Sequence, residues 1–126
     1  MTTEKPEEGI GDLIHKLRQQ IVWKPGSAPR HLLKRKLRGH LAANATSADY
    51  EQLIQGILYT ADASIYIYYS EDRLYLTVAA SIEDRVWLVI ASFDGVVETA
   101  FVVENPTSYL ERSAFRYIGK LGEVLA

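Results

Sequence analysis

Histidine set among lysine and arginine can move a proton near neutral pH while the cations stabilise a developing phosphorane-like charge. The sequence concentrates that combination in one stretch, where His31 and His40 stand among Arg30, Lys34, Arg35, Lys36 and Arg38. This is the side-chain set of metal-independent RNA cleavage, in which the ribose 2′-hydroxyl attacks the adjacent phosphorus. The two histidines are two and a half turns apart on a straight helix, so their rings diverge unless Gly39 breaks it. Three histidines, no cysteine and no His-x-x-x-His pair make a poor metal set, so neither a metal nor another cofactor is expected. Other chemistries lack their frames. Gly9-Ile-Gly11 has no preceding strand to make it a phosphate loop, and no nucleophile elbow accompanies any serine. The acidic pairs Glu71-Asp72 and Glu83-Asp84 fall at turns, where solvation accounts for them.

The net charge of −2 hides a strong polarity. Leu13 to Ala48 contains no acidic residue and holds Lys16, Arg18, Lys24 and the five cations above, together with all three histidines. From Asp49 onward five basic residues face twelve acidic ones, a net of −7. Such a basic third attracts polyanions through counterion release, and a solvated helix face balancing an acidic body is the alternative. Arg30, Arg35, Lys36, Arg38 and His40 are therefore candidate nucleic-acid contacts. Eight tyrosines and two tryptophans offer base-stacking surfaces, with Tyr66, Tyr68, Tyr75 and Trp87 the strand-borne candidates.

These residues need elements to hold them. At 126 residues and 48% hydrophobic composition the chain fits one domain with a sizeable core. Residues 1–9 read as a disordered tail and 10–126 as a single α+β domain. Apolar spacing predicts a helix over Ile10 to Val22, and the proline-rich stretch Trp23 to Pro29 a loop. A second helix follows over Arg30 to Ala43, with Leu33, Leu37 and Leu41 as its apolar stripe. Thr46-Ser-Ala-Asp49 has the capping-box form and starts a third, running to about Leu58. Period-two runs then predict four strands, Ser64–Ser70, Arg73–Ala80, Arg85–Phe93 and Val96–Val103, as an antiparallel meander turning at Glu71-Asp72 and Asp94-Gly95. Leu110, Ala114, Tyr117 and Leu121 predict a closing helix over Tyr109 to Leu121.

A two-residue turn at Asp94-Gly95 pairs Ile90 with Thr99. It gathers Val86, Leu88, Ile90, Val97, Thr99, Phe101 and Val103 on one face, the greasier, which is expected to pack on the helices. Arg85, Trp87, Val89, Ala91, Glu98 and Val102 form the other, a mixed face left for a ligand.

The basic helix Arg30-His-Leu-Leu-Lys-Arg-Lys-Leu-Arg-Gly-His40 is followed by the helix Asp49-Tyr-Glu-Gln-Leu-Ile54. The meander then carries Val86-Trp-Leu-Val-Ile90, Asp94-Gly95 and Val97-Glu-Thr-Ala-Phe101. Over Arg30 to Leu110 this pattern resembles the barnase–EndoU–colicin–RelE (BECR) nuclease superfamily, in particular its phage- and toxin-associated members. The resemblance implies a metal-independent ribonuclease acting on tRNA, mRNA or rRNA. It implies His31 as acid/base, Lys34 or Lys36 at phosphate, Thr99 as the hydroxyl that positions the scissile group, and Arg85 as a weaker phosphate clamp. The helix departs from the relatives' pattern, with Lys34-Arg-Lys36 where they repeat histidine. The face assignment also puts Thr99 away from Arg85 and Trp87.

The leading expectation is thus an RNA-cleaving enzyme with His31, Thr99 and Lys34 catalytic and Arg30, Arg35, Lys36, Arg38, His40, Arg85, Trp87 and Tyr75 binding nucleic acid. A non-catalytic nucleic-acid-binding module and an immunity or regulatory interaction protein are the alternatives. The partners expected are RNA and a cognate antitoxin or immunity protein. Without a membrane-length apolar run or a leader, the expected setting is the cytoplasm.

Overall fold

The computed structural model describes residues 9–112 and 114–126. The expected tail thus lies, Gly9 apart, outside the described residues. Gly9 itself is the N-cap of the first helix, α1 (Ile10–Gln19). The order continues α2 (Ser27–Leu37), α3 (Ser47–Leu58), β1 (Ser64–Ser70), β2 (Arg73–Ile82), β3 (Arg85–Ser92), β4 (Val97–Val103), α4 (Pro106–Leu110), β5 (Phe115–Lys120) and α5 (Leu121–Val124). The chain is α+β, with a five-stranded antiparallel sheet in the order β4-β3-β2-β1-β5. Among the described residues no helix is long and apolar enough to cross a membrane.

The capping box at Thr46 and Asp49 is present: Asp49 N–H donates to Thr46 Oγ1 at 3.2 Å and Thr46 N–H to Asp49 Oδ2 at 2.9 Å. The meander also forms, and its β2–β3 turn puts Glu83 and Asp84 at φ 49° and 66° without a glycine. The C-terminus differs from expectation. A fifth strand replaces the predicted closing helix, pairing Tyr66 with Tyr117 and Tyr68 with Phe115. The four residues Phe115 to Ile118 are too few for a helical and a strand period to be told apart by pattern alone. The aromatic side chains decide, since a strand there stacks Phe115 on Tyr68 at 4.7 Å between ring centroids and sets Tyr117 against Tyr66 at 5.4 Å. The second helix also shifts, starting at Ser27 and ending at Leu37, with Gly39 at φ 72° just beyond.

The face expected to meet the helices is the other one. Under α1 and α3 the sheet presents Ile65, Ile67, Leu76, Val78, Trp87, Val89, Ala91 and Ala100, all buried. Ile90 does pair with Thr99, but a bulge between Ile90 and Ala91 pairs Ala91 with Val97. Val97 therefore joins the helix-covered face and leaves the set it was grouped with. Ala79, Leu88, Val103, Val86 and Phe101 form a smaller apolar cluster on the opposite face, covered by Tyr109 and Leu110 around α4. Both faces of β3 are thus buried, and comparing their hydrophobicity could not say which one the helices cover.

Candidate nucleic-acid interface

α2 packs on α3 and on β4, the edge strand, with its amphipathicity inverted. Leu33 and Leu37 of the expected core stripe are 57% and 77% exposed, whereas Arg35 is only 3% exposed. Leu32 and Leu41 supply the apolar packing instead. At the edge strand the helix layer also meets a row of backbone polar groups that need partners, which residues before, after and beside α2 supply. Val97 N–H donates to Val22 O at 2.7 Å, Tyr50 Oη donates to Ala100 O, and Val102 N–H donates to His40 Nδ1 at 3.3 Å. Burial pushes the Tyr50 hydroxyl up to about 12, against the nearby Arg35 charge, so it stays a donor.

Around His40 the chain assembles an arginine cluster. Arg35 Nη1 lies 3.3 Å from His40 Nδ1, and its guanidinium carbon stands 5.7 Å from the Phe101 ring centroid. With Val102 N–H and Arg35 both donating to Nδ1, the imidazole is neutral with its proton on Nε2. Burial lowers the His40 pKa, and the charges of Arg35, Arg85 and Arg38 lower it further against Glu104. Arg85 Nη1 donates to the carbonyls of Gly39 at 2.9 Å and His40 at 3.2 Å, which fixes the turn after α2. Trp87, 3% exposed, meets the His40 ring edge-on at 6.0 Å. Among the described residues no carboxylate stands against Arg35, and its Nε is buried without a partner.

Beside this cluster opens a cleft of about 520 Å³. Arg38 and Arg112 line it with the rings of Phe101 and Tyr109, and Asn105 and Ser108 add an amide and a hydroxyl. Arg112 lies over Tyr109 at 5.0 Å, and Tyr109 meets Phe101 edge-on at 6.1 Å. Among the described lining residues Glu104 is the one acid. Two guanidinium groups flanking aromatic rings can hold a phosphate while a base stacks beside it.

The predicted residues divide between places. Arg35, Arg38, His40, Arg85 and Trp87 come together at the α2 C-terminus and the β4 edge. His31 lies near the other end of α2, stacked on Trp23 at 5.7 Å, and Trp23 donates to Glu51 at 2.9 Å. Burial lowers the His31 pKa, as do Arg30, Arg35 and Lys34, while Glu98 opposes them. Glu98 pairs with Lys24 at 2.8 Å. Arg30 and Lys34 are exposed, and Lys36 reaches the Ala45 carbonyl at 3.4 Å. Thr99 sits across the sheet from the helices, in register with Ile90, and Tyr75 pairs with Tyr68 on that same face. His31 and Thr99 are therefore on opposite sides of the sheet.

Sequence reasoning missed Arg112, Tyr109, Asn105 and Ser108. They fall in the segment assigned to a loop and closing helix, and the spacing of Tyr109 and Arg112 was the one available signal. Among the described residues no group of three or more histidine, aspartate or glutamate side chains could hold a metal ion. No protein-family model matches the chain, and comparisons with curated proteins and with solved structures return no match.

Proposed function

We propose that the protein is a nucleic-acid-binding module that holds single-stranded RNA at the Arg38–Arg112 cleft, with the exposed cations of α2 extending the contact. One observation carries this reading. Two arginines and two aromatic rings line a single cleft, backed by the buried Arg35, which faces no carboxylate among the described residues. Unstacked bases find ring faces there, and the backbone finds guanidinium groups. Specificity for tRNA, mRNA or rRNA, an inhibitory protein partner and a cytoplasmic setting belong to the same proposal.

The test is fluorescence anisotropy of a labelled single-stranded RNA at low salt. Wild-type binding that Arg112→Gln weakens about tenfold supports the reading. Absence of binding at low salt overturns it.

Cleavage is the second reading, favoured by one feature. Burial and the charges of Arg30, Arg35 and Lys34 shift His31 towards its neutral form, the form that a general base for the 2′-hydroxyl requires, and the exposed Arg30 and Lys34 stand on the same helix. Thr99, on the far face, has no part in that arrangement. RNA cleavage in EDTA that His31→Ala abolishes would establish this reading.

A further inference from the structure

The outer face of α2 carries two parallel rows. Arg30, Lys34 and Arg38 recur every fourth residue and are exposed. Leu33 and Leu37 recur beside them, 57% and 77% exposed. The stripe runs about 12 Å along the helix, two turns and a little more. Nucleic acid accounts for the cations but has no use for the leucines. A leucine row flanked by one row of a single charge is the pattern by which one amphipathic helix receives another.

The charge decides the occupant. A second copy docking through α2 would set cation against cation, and no acidic side chain stands in the stripe to relieve it. The complementary surface is a helix with apolar residues at four-residue spacing and glutamate or aspartate alongside. We infer that the outer face of α2 docks an acidic amphipathic helix of a partner protein, with Leu33 and Leu37 as the apolar anchors and Arg30, Lys34 and Arg38 as its charge guides. This goes beyond RNA binding and does not depend on it, since the leucines lie outside the Arg38–Arg112 cleft.

The probe is a labelled peptide of about 18 residues with leucine at four-residue spacing and glutamate alongside, read by anisotropy in physiological salt. Its control is a scrambled peptide of the same composition. Micromolar binding of the patterned peptide, weakened about tenfold for the scrambled one and for Leu33→Ser/Leu37→Ser, is the expected result. Both leucines are exposed, so the double variant should keep the wild-type circular dichroism and melting temperature. Lys34→Glu should weaken the peptide as well. Equal affinity for both peptides, or full affinity in the double variant, overturns the inference.

Two other outcomes also overturn it by naming a different occupant. One is leucine-dependent binding to vesicles of phosphatidylcholine and phosphatidylserine without peptide binding. The other is a concentration-dependent dimer that Leu33→Ser/Leu37→Ser abolishes. The neutral serine variants leave the RNA measurement unchanged, and Arg112→Gln leaves the peptide measurement unchanged, so the two readings fail separately.

Discussion

His40 Nδ1 accepts the amide N–H of Val102 at 3.3 Å, so a side chain just past a basic helix completes the hydrogen bonding of a strand on the sheet's edge. The bond requires an unprotonated Nδ1. Arg35, at the same distance from that nitrogen, reinforces the requirement.

The relationship makes stability depend on pH. The His40 pKa lies below 6.5 in the fold, through burial first and then Arg35, Arg85 and Arg38, and that of His31 is lowered in the same way. The folded state thus binds fewer protons than the unfolded chain. This contribution is complete above about 6.5 and is lost as pH falls through the folded-state values. Urea titrations at pH 7.5, 6.5 and 5.5 should show a falling midpoint. His40→Gln keeps an acceptor for Val102 but does not titrate, so it should make the acid limb shallower, leaving the part due to His31, while staying within about 1 kcal/mol of wild type at pH 7.5. An unaltered acid limb in that variant would contradict the assignment.

Arg35 is a buried cation that faces no carboxylate among the described residues. Desolvating a charge costs several kcal/mol, and a long apolar side chain fills similar space. Arg35→Met should therefore leave stability within about 1 kcal/mol of wild type or raise it, whereas Arg35→Ala should cost about 2 kcal/mol through lost packing over Phe101. Chemical denaturation of the two variants measures the difference.

The cleft should be legible in the salt dependence of RNA binding. Each phosphate contact on a single strand contributes a slope of about −0.7 in log K against log salt. Arg112→Gln should reduce the slope by about that amount. Lys24 is already paired with Glu98 at 2.8 Å, so Lys24→Gln should leave the slope unchanged. Equal losses from both variants would mean diffuse charge rather than a cleft.

Gly95 turns the β3–β4 hairpin at φ 90°, and a Cβ there would come within 2.9 Å of Lys16 Cε. Lys16 in turn donates to Asp94 O at 2.9 Å. Gly95→Ala should cost about 1–2 kcal/mol through backbone strain. The lysine end is flexible, so adding Lys16→Ala should not recover the loss. Thermal melts of the single and double variants separate strain from clash.

Much of the fold was legible because local chemistry and tertiary packing agree. Thr46 and Asp49 form the capping box their spacing announces, and β1 alternates in burial as it alternates in sequence, while β2 and β3 kept their strand runs although both their faces are buried. The C-terminal strand was not legible, because Leu110, Ala114, Tyr117 and Leu121 satisfy a helical period while Tyr66 and Tyr68 demand a strand partner. α2 shows a second limit. Its leucines gave the period, but not the direction of burial, because the helix layer there meets strand amides and carbonyls as well as an apolar face. Arg35, Arg38 and His40 stood out as one basic cluster in the sequence. Arg112 did not, since only the sheet edge and α4 bring it to them.

The closed edge of β4 also bears on how molecules of this kind aggregate. Val22, Tyr50 and His40 occupy the positions an incoming strand would pair with, so the sheet can be lengthened by another chain at β5, where Arg116 and Lys120 add charge to a six-residue strand. Protonation of His40 in acid removes one of these three contacts, at Val102, while Val22 and Tyr50 still cover the rest of that edge.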